Sequence, residues 1–337
     1  MRMWVLVATM LLAMPAAAQR TLEVPATASW KHAETGLVLR PAIIGLARTK
    51  ISDLTTAELD IAAQYGSVED VAVTLYLFRP ALFSVPVWFD RAETQILQRD
   101  IFGNAAPQGE PRAFAPPGGT VASALRRAYK PDKPAFKSTA LAVIPVGDWL
   151  MAIRISARDL DPATLDSRLS AVIEAVGWPK GIAEGPIATP IAACTNTLAY
   201  ARKAKLLRPE LQSSIFGALV AGVGANRRRD TAQAMFCRDG KGNLEYGVYR
   251  QPDSTDSYML AIQDAGRVIR VYPAISLQKA NAGFSLSFDN LAKTMIYPNF
   301  NRLPAPEAAW KAVRTMAPVS STSLQGTNQT IEVSAPK

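Results

Sequence analysis

Between Leu141 and Pro179 the hydrophobic pattern changes once, from the period of a strand to that of a helix. No other stretch restricts the fold as much. Leu141 to Ile144 is apolar, and Pro145-Val146-Gly147-Asp148 carries turn chemistry: a fixed φ, a permissive glycine and a side chain able to bond its own backbone. Trp149, Met151, Ile153, Ile155 and Ala157 then fall on one face, and Leu150, Ala152, Arg154, Ser156 and Arg158 on the other. That alternation predicts an antiparallel strand with one face in the core and the other near water. Asp161 is placed to cap a helix and Pro162 suits its first position; Leu165, Leu169, Val172 and Val176 follow at helical spacing. Gly177 and Pro179 end it. A hairpin and a helix bury one face of each together, so other elements must complete the core.

Those elements are legible upstream. Gly36–Leu39, Ile43–Lys50 and Leu59–Tyr65 read as strands. Val71–Phe78 is apolar on both faces, which predicts a central strand. Val87–Gln98 reads as a helix with Trp88, Phe89, Ala92 and Ile96 inward and Asp90, Arg91, Glu93 and Gln95 as its polar remainder. Residues 103–119, rich in Pro and Gly, predict a long loop, and Thr120–Tyr129 a strand or short helix. This order of elements resembles the Mog1/PsbP-like α/β/α sandwich over Trp30 to Pro179, including its bacterial exported members. The whole chain also resembles uncharacterised exported proteins of Gram-negative bacteria. The resemblance implies a binding or assembly role more than a reaction, and it carries over no catalytic residue.

Pro179, Gly181, Gly185 and Pro186 mark a linker over 179–190. Beyond it a helix is predicted over Thr195–Leu207. Strands follow over Ala232–Arg238, Leu244–Arg250, Tyr258–Gln263, Arg267–Tyr272, Phe284–Phe288 and Lys293–Tyr297. Pro306–Met316 predicts a helix with Trp310 and Val313 inward, and the Ser/Thr-rich residues 318–337 a disordered tail. The fold class is therefore α+β, in two domains (30–178 and 190–317), each an antiparallel sheet with helices packed on it.

The first residues carry an address. Arg2, the apolar run Trp4–Met14 and the small residues Ala16-Ala17-Ala18 before Gln19 read as a signal peptide over 1–18. The run is too short for a bilayer, which takes about 20 residues, so no transmembrane span is expected in the mature chain. The expected location is periplasmic or secreted. At 337 residues, 49% hydrophobic and 19% charged, the chain has the composition of a globular protein. Its net charge of +9 would suggest nucleic acid in the cytosol. After export the available partners are an envelope protein or an anionic lipid or polymer, and no nucleic acid.

Candidate chemistry is sparse. The one histidine, His32, lies beside Glu34 at an ordinary polar spacing. No G-x-S-x-G elbow is present, and the one S-x-x-K, Ser276 to Lys279, lacks companion motifs. Glu58/Asp60 and Glu69/Asp70 read as solvated turns, and Gly217, Gly222 and Gly224 lack a phosphate-loop ending. No catalytic set, metal set or cofactor is predicted. Cys194 and Cys237 read as a disulfide in an oxidising compartment, with two buried thiols as the alternative. Arg202, Lys203, Lys205, Arg208, Arg227, Arg228 and Arg229, with Glu210 the one acid between them, form a possible anion-binding set. The expected function is an exported, non-catalytic binding or assembly protein of the bacterial envelope. The alternative is an envelope-polymer hydrolase using a carboxylate pair or a Ser–Lys site.

Overall fold

The structure, a computed structural model, describes residues 20–208, 234–275, 283–323 and 330–333. Residues 1–18, read as a signal peptide, Arg227 to Arg229, the Ser276–Lys279 motif and the glycines at 217, 222 and 224 lie outside the described residues. The fold is α+β and mostly antiparallel, with two sheet-rich regions and three helices among the described residues.

The first sheet has β1 (Arg20–Thr21), β4 (Ala42–Ile43), β5 (Leu46–Asp53), β6 (Asp60–Gly66), β7 (Val71–Phe78), β8 (Ala106–Phe114), β9 (Ala124–Lys130), β10 (Ser138–Val146) and β11 (Trp149–Ala157). Its order is β1-β5-β6-β7-β11-β10-β9-β8, with β4 beside β5, so β7 is central as its two apolar faces require. A two-stranded ribbon of β2 (Trp30–Lys31) and β3 (Val38–Leu39) lies alongside. The predicted hairpin is present: β10 and β11 pair from Ser138↔Ala157 to Val146↔Trp149. Gly147 takes a φ of 63° at the first of two loop positions, a conformation open to glycine. Pro145 belongs to the strand rather than the turn; β9 pairs β10 only as far as Val143, so no ladder bond is lost on that side.

Both faces of this sheet are covered. On one, α2 (Pro162–Ala175) lays Leu165, Leu169, Val172 and Ile173 on Met151, Ile153 and Ile155. Asp161 caps it, accepting from the Ala163 and Thr164 amides at 3.0 and 3.1 Å. Each of these buried aliphatic side chains contributes about 1.5–3 kcal/mol. On the other face, α1 (Val85–Gln98) covers Leu150, Ala152, Leu141 and Val143. Leu150 and Ala152 on the second face of β11 are therefore core, where the alternation predicts a face near water; Arg154 and Ser156 farther along that face are half-buried and Arg158 is exposed.

The second sheet is an eight-stranded meander: β12 (Cys237–Arg238), β13 (Tyr246–Arg250), β14 (Tyr258–Ile262), β15 (Arg267–Pro273), β16 (Phe284–Asp289), β17 (Lys293–Phe300), β18 (Ser320–Ser323) and β19 (Ile331–Val333). One face meets α1 through Tyr249, Met259, Ala261 and Val268. The other packs Tyr246, Tyr258, Leu260 and Ile269 with α3 (Pro306–Thr315) and Leu198. The layers therefore run helix, sheet, helix, sheet, helix, with α1 in the middle.

The central position of α1 explains the largest departure from expectation. Asp90, Arg91 and Gln95, read as part of the helix's polar remainder, are buried. Arg91 donates to the carbonyls of Gln263 and Asn243 at 2.8 and 2.7 Å, and Gln95 to that of Leu244 at 2.8 Å. Asp90 accepts from Arg238 and from the Tyr249 hydroxyl. A Cβ at Gly247 would lie 3.0 Å from Arg91 Cδ and 2.9 Å from the Tyr249 ring, so glycine there admits the guanidinium stem. Asp60, predicted in a solvated turn, is likewise buried, 3.1 Å from Arg267 of the other sheet. Three further segments differ. Within 103–119, residues 106–114 form the edge strand β8; Pro107 and Pro111 are tolerated because an edge strand needs only one ladder. Residues 195–207 are an irregular strap, not a helix. Of the stretch from 318, expected as a disordered tail, Ser320–Ser323 pairs with β17 and Ile331–Val333 with β18.

Candidate functional site

Where β10 turns into β11, the chain after α2 folds back over the end of the first sheet and leaves cavities beneath it. An apolar one, about 460 Å³, is walled by Phe83 and Val85 at the start of α1, Pro145 of β10, Ala188 and Ile191 of the returning chain, and Phe236 before β12. A second, about 520 Å³, lies between Pro116–Gly119 and residues 177–185. Gly185, Ser123 and Pro145 border both. A third, about 400 Å³ and polar, continues along residues 179–183 past Glu34, Arg79 and Asp148. The result is a row of openings along one extended segment.

A few fastenings hold that segment. The Glu184 carboxylate accepts from the Thr120 amide and hydroxyl and, at 3.2 Å, from the Val121 amide; these bonds hold its pKa below the ordinary value. The Ala188 amide donates to the Ala122 carbonyl at 2.9 Å. Cys194 and Cys237 form the expected disulfide, which ties the strap to β12. Beside it the Cys194 amide donates to Arg238 O and the Arg238 amide to Ala192 O, at 3.0 and 2.9 Å. Arg250, buried, then holds Asn196 O and the Asp239 carboxylate.

The described residues lining the 460 Å³ cavity include no Asp, Glu, His, Lys or Arg. The Ser84 hydroxyl caps α1, accepting from the Val87 amide at 3.4 Å. Ser123, Thr189 and Thr195 offer hydroxyls. Such a wall can enclose an apolar body and give it a few hydrogen bonds; it has no side chain placed to move a proton. At its lip Ile187 and Met235 are 70% and 76% exposed. The sequence reading passed over this site, because 179–190 was read only as a linker. A signal was present: Ile182-Ala183, Pro186-Ile187-Ala188 and Pro190-Ile191-Ala192 put apolar residues at intervals through a segment whose chemistry is otherwise that of a connection.

Of the residues singled out from sequence, Cys194 and Cys237 border this cavity and the other described ones lie elsewhere. His32 is buried between Trp30 and Trp149, at ring distances of 5.7 and 4.5 Å. Its Nδ1 accepts from the Thr35 amide at 3.2 Å, leaving Nε2–H to donate to Glu58 O at 3.2 Å. Burial pushes its pKa down, so it is a neutral packing residue. Glu69 pairs with Arg158 at 2.6 Å on the surface. Asp60 has its pKa raised to about 6: burial outweighs the attraction of Arg267, and Asp264 and Asp53 add to the rise. Of the basic set, Arg202, Lys203, Lys205 and Arg208 lie exposed on the strap, away from the cavities. Among the described residues no three His, Cys, Asp or Glu side chains gather as a metal site, and no helix is long and apolar enough to cross a membrane.

No protein-family model matches this chain, and no curated protein or solved structure does either. The Mog1/PsbP-like resemblance is therefore without support.

Proposed function

We propose that this is an exported binding protein of the bacterial envelope whose ligand is a small, uncharged, largely apolar molecule. The observation that carries the reading is the 460 Å³ cavity, within the size range of ligand sites, with an apolar wall and a disulfide-fastened rim. The disulfide accords with an oxidising compartment, and the leader-like sequence over 1–18 supplies the export route. On this reading the two sheets are two domains, 30–178 and 190–317, and residues 179–190 between them form the site. Asp53, Asp60 and Asp264, three carboxylates close enough for the other two to act on Asp60, pair with Arg20, Arg267 and Arg154 and do not line the cavity.

A neutral fluorescent probe, N-phenyl-1-naphthylamine, tests this directly. The protein should bind it saturably, and Ser123→Phe and Ala188→Phe, which fill the cavity from two sides, should each abolish uptake while the chain stays folded by circular dichroism. No uptake by the parent protein, or undiminished uptake by both variants, would overturn the proposal. So would turnover of a cell-wall substrate by the purified protein.

A further inference from the structure

Most of the described arginines sit on a carboxylate, among them Arg126 on Asp166, Arg154 on Asp264, Arg250 on Asp239 and Arg267 on Asp60. Those along one end of the second sheet do not. There the strap runs antiparallel to the chain that leaves β17. The Ala201 amide donates to Leu303 O at 2.9 Å, the Asn301 amide to Lys205 O at 2.9 Å, and the Leu207 amide to Asn299 O at 2.7 Å. The Lys205 amide reaches the Asn301 side chain at 2.8 Å, and Leu206 bridges Phe300. Ala204 and Leu206 turn inward against the core of the second sheet. Arg202, Lys203, Lys205, Arg208 and Arg302 are exposed on this two-stranded ribbon.

None of those five has an ion-pair partner among the described residues. Neither 197–208 nor 290–306 contains an Asp or Glu. Arg302 was not part of the basic set read from sequence, because it lies far along the chain and only the ladder brings it beside Lys205. Two aliphatic side chains stand exposed at the same end of the sheet: Leu207 at 41%, within the ribbon, and Ile275 at 58%, beyond Ala274, whose amide bonds Gly283 O next to the Phe284–Phe300 pair.

We propose that the ribbon of residues 202–208 and 299–302 is a docking surface for a membrane of anionic phospholipid. Unpaired cations attract an anionic bilayer surface cumulatively. The exposed leucine and isoleucine separate a bilayer from a dissolved polyanion. A polymer of sulfate or phosphate groups gains nothing from them, whereas the headgroup boundary accepts apolar side chains between the cations. The surface lies apart from the cavity, and the inference does not depend on what the cavity holds.

Vesicle co-sedimentation of the chain from Gln19 onward tests it, with phosphatidylcholine alone and with phosphatidylcholine mixed with phosphatidylglycerol. The protein should partition onto the mixed vesicles and not onto phosphatidylcholine alone. Lys205→Gln with Arg302→Gln should weaken partitioning about thirty-fold. Lys130→Gln with Lys241→Gln, which removes the same charge elsewhere, should change it by less than about twofold. Leu207→Ser should weaken vesicle binding severalfold and leave binding to dextran sulfate unchanged. Equal binding to both vesicles, binding to neither, or parental affinity in the folded Lys205/Arg302 variant would overturn the proposal. Full vesicle binding by Leu207→Ser, with dextran sulfate as effective a competitor as lipid, would also overturn it, in favour of a dissolved polyanion.

Discussion

The seam where α1 meets the second sheet and the wall formed by residues 179–195 both join distant parts of the chain, by opposite means. At the seam, polar side chains are buried and directed at particular partners: Arg91 and Gln95 at backbone carbonyls, Asp90 at Arg238 and Tyr249, Asp60 at Arg267. Tyr249, Met259 and Val268 pack between them. The wall is the reverse. Its backbone is extended, its anchors are a carboxylate, two short backbone pairings and a disulfide, and space remains beneath it. Buried polar groups fix one geometry because leaving any of them unpaired is costly. A thinly fastened segment over an apolar hollow leaves room for something else. On the proposed function, stability is concentrated at the seam and binding at the wall.

The largest expected effect lies at the seam. Arg91→Ala removes a buried guanidinium, leaves the Gln263 and Asn243 carbonyls without their donor and opens a void. It should destabilise the protein by about 3–5 kcal/mol in denaturant unfolding followed by tryptophan fluorescence. At temperatures where the variant stays folded, uptake of the neutral probe should match the parent; loss of uptake there would mean that seam and wall are not separable.

Next comes the wall. Replacing Cys194 and Cys237 together by serine opens a loop with a sequence separation of 43 residues. The cost should be about 2–4 kcal/mol, the upper end being the chain-entropy value. The comparison is sharpened by the second readout: this variant should lose probe affinity, because the rim beside Cys194 is no longer held. Undiminished affinity in the double serine variant would place the fastening elsewhere, at Glu184 or Ala188.

The smallest effect is a dependence on pH. Asp60 titrates near 6 in the fold and near 4 in an unfolded chain. The folded state therefore takes up the proton first. This contribution to stability is greatest below about pH 4 and is lost as pH rises through about 6, a change of about 3 kcal/mol. His32, held neutral by burial, works the opposite way: its contribution is present above about pH 6.5 and is lost below it. The Asp60 part is isolated by subtracting Asp60→Asn from the parent in thermal unfolding at several pH values. Parallel curves across that window would show that Arg267 keeps Asp60 ionised throughout.

Much of the fold was legible because it is written locally. The alternation through Trp149–Ala157, the Asp161 cap and the spacing of Leu165, Leu169 and Val172 each lie within a few residues of one another, and the structure has the hairpin and helix where they predict them. The strand patterns over Leu244–Arg250, Tyr258–Gln263 and Arg267–Tyr272 likewise announced the meander, and two cysteines in a chain read as exported announced their disulfide. The candidate site was less legible. Its lining residues come from α1, β10, the segment after α2 and the approach to β12, and none of them carries a motif.

Local pattern decided which stretches are strand, helix and turn, since backbone hydrogen bonds and side-chain periodicity act over one or two turns of chain. Only the tertiary structure decided what each face meets. Asp90, Arg91 and Gln95 form a polar stripe that any isolated helix would turn to water. They are buried because carbonyls at Asn243 and Gln263, 152 and 172 residues beyond Arg91, are brought against them. Arg302 beside Lys205 and the cavity beneath Ala188 have the same origin. A polar or apolar side chain states what it requires of its surroundings, and the surroundings are supplied by residues distant in sequence.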